Sequence, residues 1–203
     1  MKRWTAAAAL ALLLPAAARA DLIEWSEHWV PSPGTVTVNA AGTSGIKLVG
    51  GGAPRIDGSS SIVAANLQTF SNASPEHPVV FSDVPFTLML FIHDKQYNLD
   101  GALTFSGFFE GKLSSTSASV RYDLVSPSTQ VLHLGHDIYE VTLNKYAPPG
   151  VPHSTALGAF GAYVRVHHNP EPASLVLAAL AVPLAGLPLL RRRRRARAAA
   201  GKR

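Results

Sequence analysis

Phe86-Thr87-Leu88-Met89-Leu90-Phe91-Ile92-His93 is the stretch from which the rest of the chain can be ordered. Side chains of an extended backbone point alternately to opposite faces. Phe86, Leu88, Leu90 and Ile92 therefore share one face, and Thr87, Met89, Phe91 and His93 share the other. Both faces are largely apolar, so the segment is expected to be a strand in the middle of a packed structure. Asp94 to Gly101 is rich in turn residues, and Ala102 to Phe109 returns with Leu103 and Phe105 alternating against Thr104 and Ser106. The two runs predict a hairpin.

The same reading extends outward. Downstream, Lys112 to Val125 reads as one long serine-rich strand with one face in water, and Pro127 marks a turn. Gln130 to Leu134 and Ile138 to Tyr146 pair around Gly135-His136-Asp137 as a second hairpin. Ala147 to Pro152 is a loop, and Leu157 to His167 closes the series with Phe160, Ala162, Val164 and Val166 facing in. Upstream, Asp21 to Val30 reads as an initial strand or edge segment, and Pro31 to Gly34 as a turn. Thr35 to Asn39 and Ile46 to Val49 are short strands on either side of a loop. Gly50-Gly51-Gly52-Ala53-Pro54 is expected to break the chain. Ser61 to Phe70 reads as a strand, although Ala64-Ala65-Asn66-Leu67 leaves a helix open. Ser71 to Pro78 is a loop and Val79 to Ser82 a short strand. No stretch has a helical period, and there is no solenoid or propeller repeat. About nine or ten short strands between turns imply an all-β fold, an antiparallel β-sandwich or jelly-roll-like domain over residues 21–168.

Both flanks differ in kind from this domain. Lys2 and Arg3, the apolar run Ala6 to Leu14, Pro15 and Ala18-Arg19-Ala20 make residues 1–20 a secretory signal peptide, with cleavage expected between Ala20 and Asp21. The other flank begins with Asn169-Pro170-Glu171-Pro172-Ala173. Ser174 to Leu190 follows without a charge, and then come Arg191, Arg192, Arg193, Arg194 and Arg195. A helix over 174–190 would span about 26 Å, at the short end for a bilayer core. Pro183 and Pro188 are tolerable in a membrane helix. Arginines directly after an apolar run hold that end, residues 191–203, in the cytoplasm. A buried core helix would not end in such a block, and a nucleic-acid-binding tail would not be fused to an apolar span. Pro170 and Pro172 fix their own φ and push Asn169 and Glu171 toward extended geometry, a shape suited to an enzyme's groove.

Pro170-Glu171-Pro172, the apolar run and the arginine block together resemble the PEP-CTERM sorting signal of bacterial cell-envelope proteins. The resemblance covers residues 169–203. It implies an exosortase-type processing enzyme as partner, transient anchoring in the inner membrane, and delivery to the cell surface or extracellular matrix. Leu134 to Leu143 and Tyr146 to Gly150 look like a recurring β-rich ectodomain attached to such tails, which names no activity.

The formal charge of +5 conceals three parts. Residues 1–20 carry +3, residues 21–170 carry −5, and residues 171–203 carry +7. The exported part is thus acidic and lacks the basic footprint that nucleic-acid binding needs. With no cysteine, it has no disulfide and no thiolate chemistry, and about 150 residues can bury a sufficient core without such staples.

Side-chain patterns offer little catalysis. Among the eight histidines, His28, His77, His93, His133, His136, His153, His167 and His168, none shows a recognised zinc spacing. His133 and His136 flank a turn and read as solvent-facing. Asp94, Asn98, Asp100 and Gly101 have a faint calcium-loop look, but no glutamate closes the loop: counted from Gln96, the twelfth position is Gly107. Gly50-Gly51-Gly52 lacks the Gly-Lys-Ser/Thr of a phosphate cradle, and no Ser/His/Asp set emerges from spacing. Asn72-Ala73-Ser74 matches a glycosylation acceptor, but Pro75 follows and the tail is of bacterial type. A glycosidase carboxylate pair is defined in space and not in sequence. Trp25, Trp29, Phe91, Tyr97, Phe108, Phe109 and Tyr139 would suit either a sugar-stacking face or a core, and the core is the better expectation. No catalytic residue, metal ligand or cofactor is expected. The expected function is that of an exported, non-enzymatic surface or matrix protein. The alternatives are a glycan-binding or adhesive module, with extracellular polysaccharide as partner, and, with less support, a polysaccharide-acting enzyme.

Overall fold

A computed structural model describes residues 22–169. The expected signal peptide with its Ala20–Asp21 junction, Pro170, Glu171 and Pro172, the 174–190 apolar span and Arg191 to Arg195 lie outside the described residues. The described chain is all-β and antiparallel. Its strands are β1 (Glu24–Ser32), β2 (Thr35–Thr37), β3 (Ser44–Gly50), β4 (Gly52–Asp57), β5 (Ser60–Ser71), β6 (Val79–Asp94), β7 (Leu99–Leu113), β8 (Ala118–Leu124), β9 (Thr129–Leu134), β10 (Asp137–Ala147) and β11 (Gly158–His168). Among the described residues no helix is long and apolar enough to cross a membrane.

The strands form two sheets, one ordered β4-β1-β6-β7-β8 and the other β2-β3-β5-β11-β10-β9. Each contains a meander of consecutive strands: β6-β7-β8 in the first, β9-β10-β11 in the second. One apolar cluster draws on both sheets, including Trp25, Trp29, Phe86, Leu88, Leu90, Phe105 and Phe109 from the first and Ile46, Leu67, Tyr139, Val141, Phe160 and Val164 from the second. Phe86 stacks on Phe109 and on Phe160 at centroid distances of 4.4 and 5.3 Å, so the rings themselves join the two layers. Tyr146 crosses from β10 and donates its hydroxyl to the Val120 carbonyl of edge strand β8 at 2.9 Å.

β6 bears out half of its sequence pattern. Phe86, Leu88, Leu90 and Ile92 are buried, but Phe91 on the other face is 36% exposed and Met89 is half-buried. That second face is the outer surface of the first sheet and is not covered. β6 is also longer than the pattern suggested: a bulge between Phe81 and Val84 joins Val79–Ser82 to it, with Asp83 at φ 55°.

Of the two readings of Asp21–Val30, the initial strand holds and the edge does not, because β1 is the first strand and lies between β4 and β6. Lys112–Val125 is not one strand. β7 ends at Leu113, and the Ser114 and Ser117 hydroxyls, 2.7 Å apart, close a turn before β8. Serine hydroxyls compete with ladder bonds in this way. The glycine run ends β3 at Gly50 as expected, but Gly52 to Pro54 already belongs to the next strand, which that reading did not anticipate. β3 continues into β4 while changing sheets: Trp29 N–H donates to the Gly51 carbonyl at 2.9 Å, and Gly51 N–H to the Ala64 carbonyl at 3.0 Å. A Cβ on Gly50 would run into the Trp29 carbonyl, and one on Gly51 into the Val63 carbonyl. The glycines are there because two backbones pass through the corner.

Ser61–Phe70 is strand throughout, and the second hairpin turns at Gly135 and His136 as expected. Positive φ at Gly135, 62°, suits the first position of a two-residue hairpin loop.

Candidate functional site

The two described chain ends meet at one pole. β1 starts there, β11 ends there, and the β4–β5, β6–β7 and β9–β10 turns complete it: Glu24 is in register with Asp57, Trp25 with Asp94, and Asp137 with His168. Beneath these turns lies the chain's one concentration of buried ionisable groups among the described residues. Asp94 ends β6 and Asp137 begins β10, and both are fully buried.

Each carboxyl owes its position to local chemistry. Asp94 Oδ1 accepts the backbone N–H groups of Gln96 at 2.8 Å and Tyr97 at 3.0 Å, an Asx arrangement that forms the hairpin loop. Asp94 Oδ2 accepts the Tyr139 hydroxyl at 2.9 Å. Asp137 Oδ1 lies 2.8 Å from His168 Nδ1, while its Oδ2 is buried with no hydrogen-bond donor. Burial raises the Asp137 pKa above the usual carboxylate range; His168 opposes that, and the neighbouring Asp94 carboxyl adds to it. Burial first, and then Asp94, push the Tyr139 hydroxyl strongly upward, so it stays a donor. Trp25 meets the Tyr139 ring edge-on at 5.8 Å and donates Nε1–H to the Gly58 carbonyl at 2.8 Å. The backbone adds a fastening: Asn169 N–H donates to the His136 carbonyl at 2.7 Å.

The histidines are placed by this frame. His136 lies edge-on to Tyr97 at 5.5 Å and 5.8 Å from the His168 ring. His93 pairs with Asp100 at 2.9 Å, and His28 stacks flat on Phe91 at 4.8 Å. The structure thus brings His136 beside His168. No group of three potential metal ligands occurs among the described residues. The faint calcium loop does not converge: Asp94 turns inward to backbone and Tyr139, Asp100 turns to His93, and Asn98 takes a positive φ of 52°.

The aromatic candidates divide. Trp25, Trp29, Phe109 and Tyr139 are core residues, whereas Phe91 and Phe108 are partly exposed on the outer face of the first sheet. The sequence pattern missed Tyr163, 40% exposed on the outer face of the second sheet. It pairs in register with Ser61, which lines an open groove of about 670 Å³. The groove forms where bulges at Leu143/Lys145 and Phe160/Gly161 lie side by side, and its walls include Val63, Asn144 and Lys145.

A third buried acid was also missed. Glu27 faces inward between Trp25 and Trp29, 6% exposed, with Oε2 unpartnered, and Trp29 Nε1 nearby in sequence is unpartnered too. Burial pushes its pKa up to about 7, offset in part by a hydrogen bond from the Ala53 backbone. The strict alternation Trp25-x-Glu27-x-Trp29 was the available signal. No family model, no curated protein and no solved structure matches the chain.

Proposed function

We propose that this is an exported, non-enzymatic cell-surface or extracellular-matrix protein, delivered through its C-terminal tail. The observation that carries this reading is the order of residues 169–203: Pro170-Glu171-Pro172, then an uncharged run to Leu190, then five arginines. The fold is consistent with it. β11 ends at His168, two residues before Pro170, so the motif follows the last strand directly. In this reading an exosortase-type enzyme takes the extended Pro-Glu-Pro segment with little further loss of backbone freedom, Glu171 offers it one anionic handle, and Arg191 to Arg195 keep the far end in the cytoplasm.

Replacing Glu171 by Ala should leave a membrane-retained, uncleaved precursor. Replacing the five arginines by Gln should disturb retention, so that precursor escapes or misinserts. Fractionation with antibodies to both ends separates the two failures. If both variants mature like the parent chain, the tail is a permanent anchor and not a sorting signal.

A second reading, glycan adhesion by a two-sheet sandwich, is favoured by the open groove lined by Ser61, Asn144, Lys145 and Gly161, with the partly exposed Tyr163 in register with Ser61. A glycan array probed with the exported chain tests it, and loss of any binding in Tyr163→Ala would locate it. The buried Asp94 and Asp137 do not serve an acid/base pair of a polysaccharide-acting enzyme, which must admit the sugar and its attacking water between the carboxyls.

A further inference from the structure

We propose that Asp94, Asp137 and His168 form a proton-held latch, which fastens the end of β11 at low pH and releases it as the pH rises. The inference takes its biological meaning from the tail reading above, since the released segment leads straight into Pro170.

Three donors converge on Asp94, as they do on a carboxylate: two backbone N–H groups and the Tyr139 hydroxyl. Asp137 receives one, His168, and its second oxygen is buried with none. Two adjacent carboxyls with no water access cannot both ionise cheaply. A proton on Asp137 removes the repulsion and supplies the donor that the pair lacks. When that proton leaves, Asp137 becomes a second buried anion beside Asp94, and the element least able to resist is the end of β11. That end is held by the His168 side chain, the Asn169 amide and the last rungs to β10. Local opening of a terminal segment costs far less than global unfolding.

The other charges around the cluster do not supply the missing compensation. On β1, Glu24 is engaged by Lys95 at 2.8 Å and by Arg55 at 3.3 Å. From the β6–β7 hairpin, Lys95 is therefore committed to Glu24, Asp100 to His93, and Tyr97 presents its ring to His136. On β9 and β10, His133 is exposed and Tyr139 already donates to Asp94; on β11, His168 bonds Asp137, with the exposed His167 next to it. The sign follows from Asp137. Its folded pKa is raised, so the native state binds the extra proton and the latch is strongest below the range through which Asp137 titrates.

Hydrogen–deuterium exchange of the full-length chain in detergent micelles, followed by mass spectrometry from about pH 4, the ordinary carboxylate range, to about pH 9, reads the latch directly. After correction for intrinsic exchange, the peptide covering His167 to Asn169 should lose roughly tenfold in protection as the pH rises, while β6 stays protected. Asp137→Asn keeps an acceptor for His168 and presents a donor to Asp94, so its protection should be high and flat with pH. Asp94→Asn should flatten the profile as well, which covers the case of one variant failing to fold. Flat protection in the parent chain, or an unchanged slope in Asp137→Asn, overturns the latch. Neither result touches processing, which the Glu171→Ala experiment tests alone.

Discussion

At the scale of single residues, Glu27 is the most consequential departure from the pattern around it. It occupies a core position on β1, between two tryptophans, where a carboxylate would be poorly solvated. Its folded pKa of about 7 exceeds the ordinary glutamate value of 4.5, so its folded form holds a proton that the unfolded form releases. The stability associated with that proton is fully present below about pH 4.5 and is lost as the pH rises through 7. Asp137 acts in the same sense, and Glu24, lowered by its hydrogen bond to Lys95, acts in the opposite sense at the surface. Thermal melts should therefore show a higher Tm at pH 5 than at pH 8. Glu27→Gln should raise stability at pH 8 by up to about 3 kcal/mol and remove most of this slope. Equal pH dependence in parent and variant would show that Glu27 reaches solvent.

At the scale of elements, legibility depended on whether local sequence or a distant backbone set the geometry. The two hairpins were legible because their signals are local: alternating apolar residues, Asp94 and its Asx turn, and Gly135 at the first loop position. The Gly50-Gly51-Gly52 corner was not, because the reason for those glycines lies on β1 and β5, far away in sequence. Phe91 and Met89 misled for the converse reason: apolar side chains are common on exposed sheet faces, so pattern alone overstates burial. Of the candidate site, the tryptophans and His168 were visible as residues, but the meeting of Asp94 with Asp137 belongs to the tertiary fold. Gly51→Ala tests the corner. A Cβ there meets the Val63 carbonyl, backbone that cannot swing aside, so the loss should be about 3 kcal/mol or more in chemical denaturation. Gly42, whose Cβ position is open, is the comparison; it has a φ of 67°, so Gly42→Ala should cost only about 1 kcal/mol of backbone strain. Equal losses at the two sites would remove the corner's special status.

At the scale of the whole molecule, both described ends leave from the same pole, over the Asp94–Asp137–His168 cluster, and the groove beside Tyr163 lies on the outer face of the second sheet. A domain held by a C-terminal tail would thus keep its cluster next to the tether. The charge distribution matches that division, with an acidic central part between basic flanks. The covalent ends of the mature protein test the proposed delivery and processing most directly. Intact-mass and terminal-peptide mass spectrometry of the chain recovered from the cell surface or medium should find Asp21 as the first residue and no Arg191–Arg203 block. Recovery of the surface protein with Met1 and Arg203 both present would contradict that proposal.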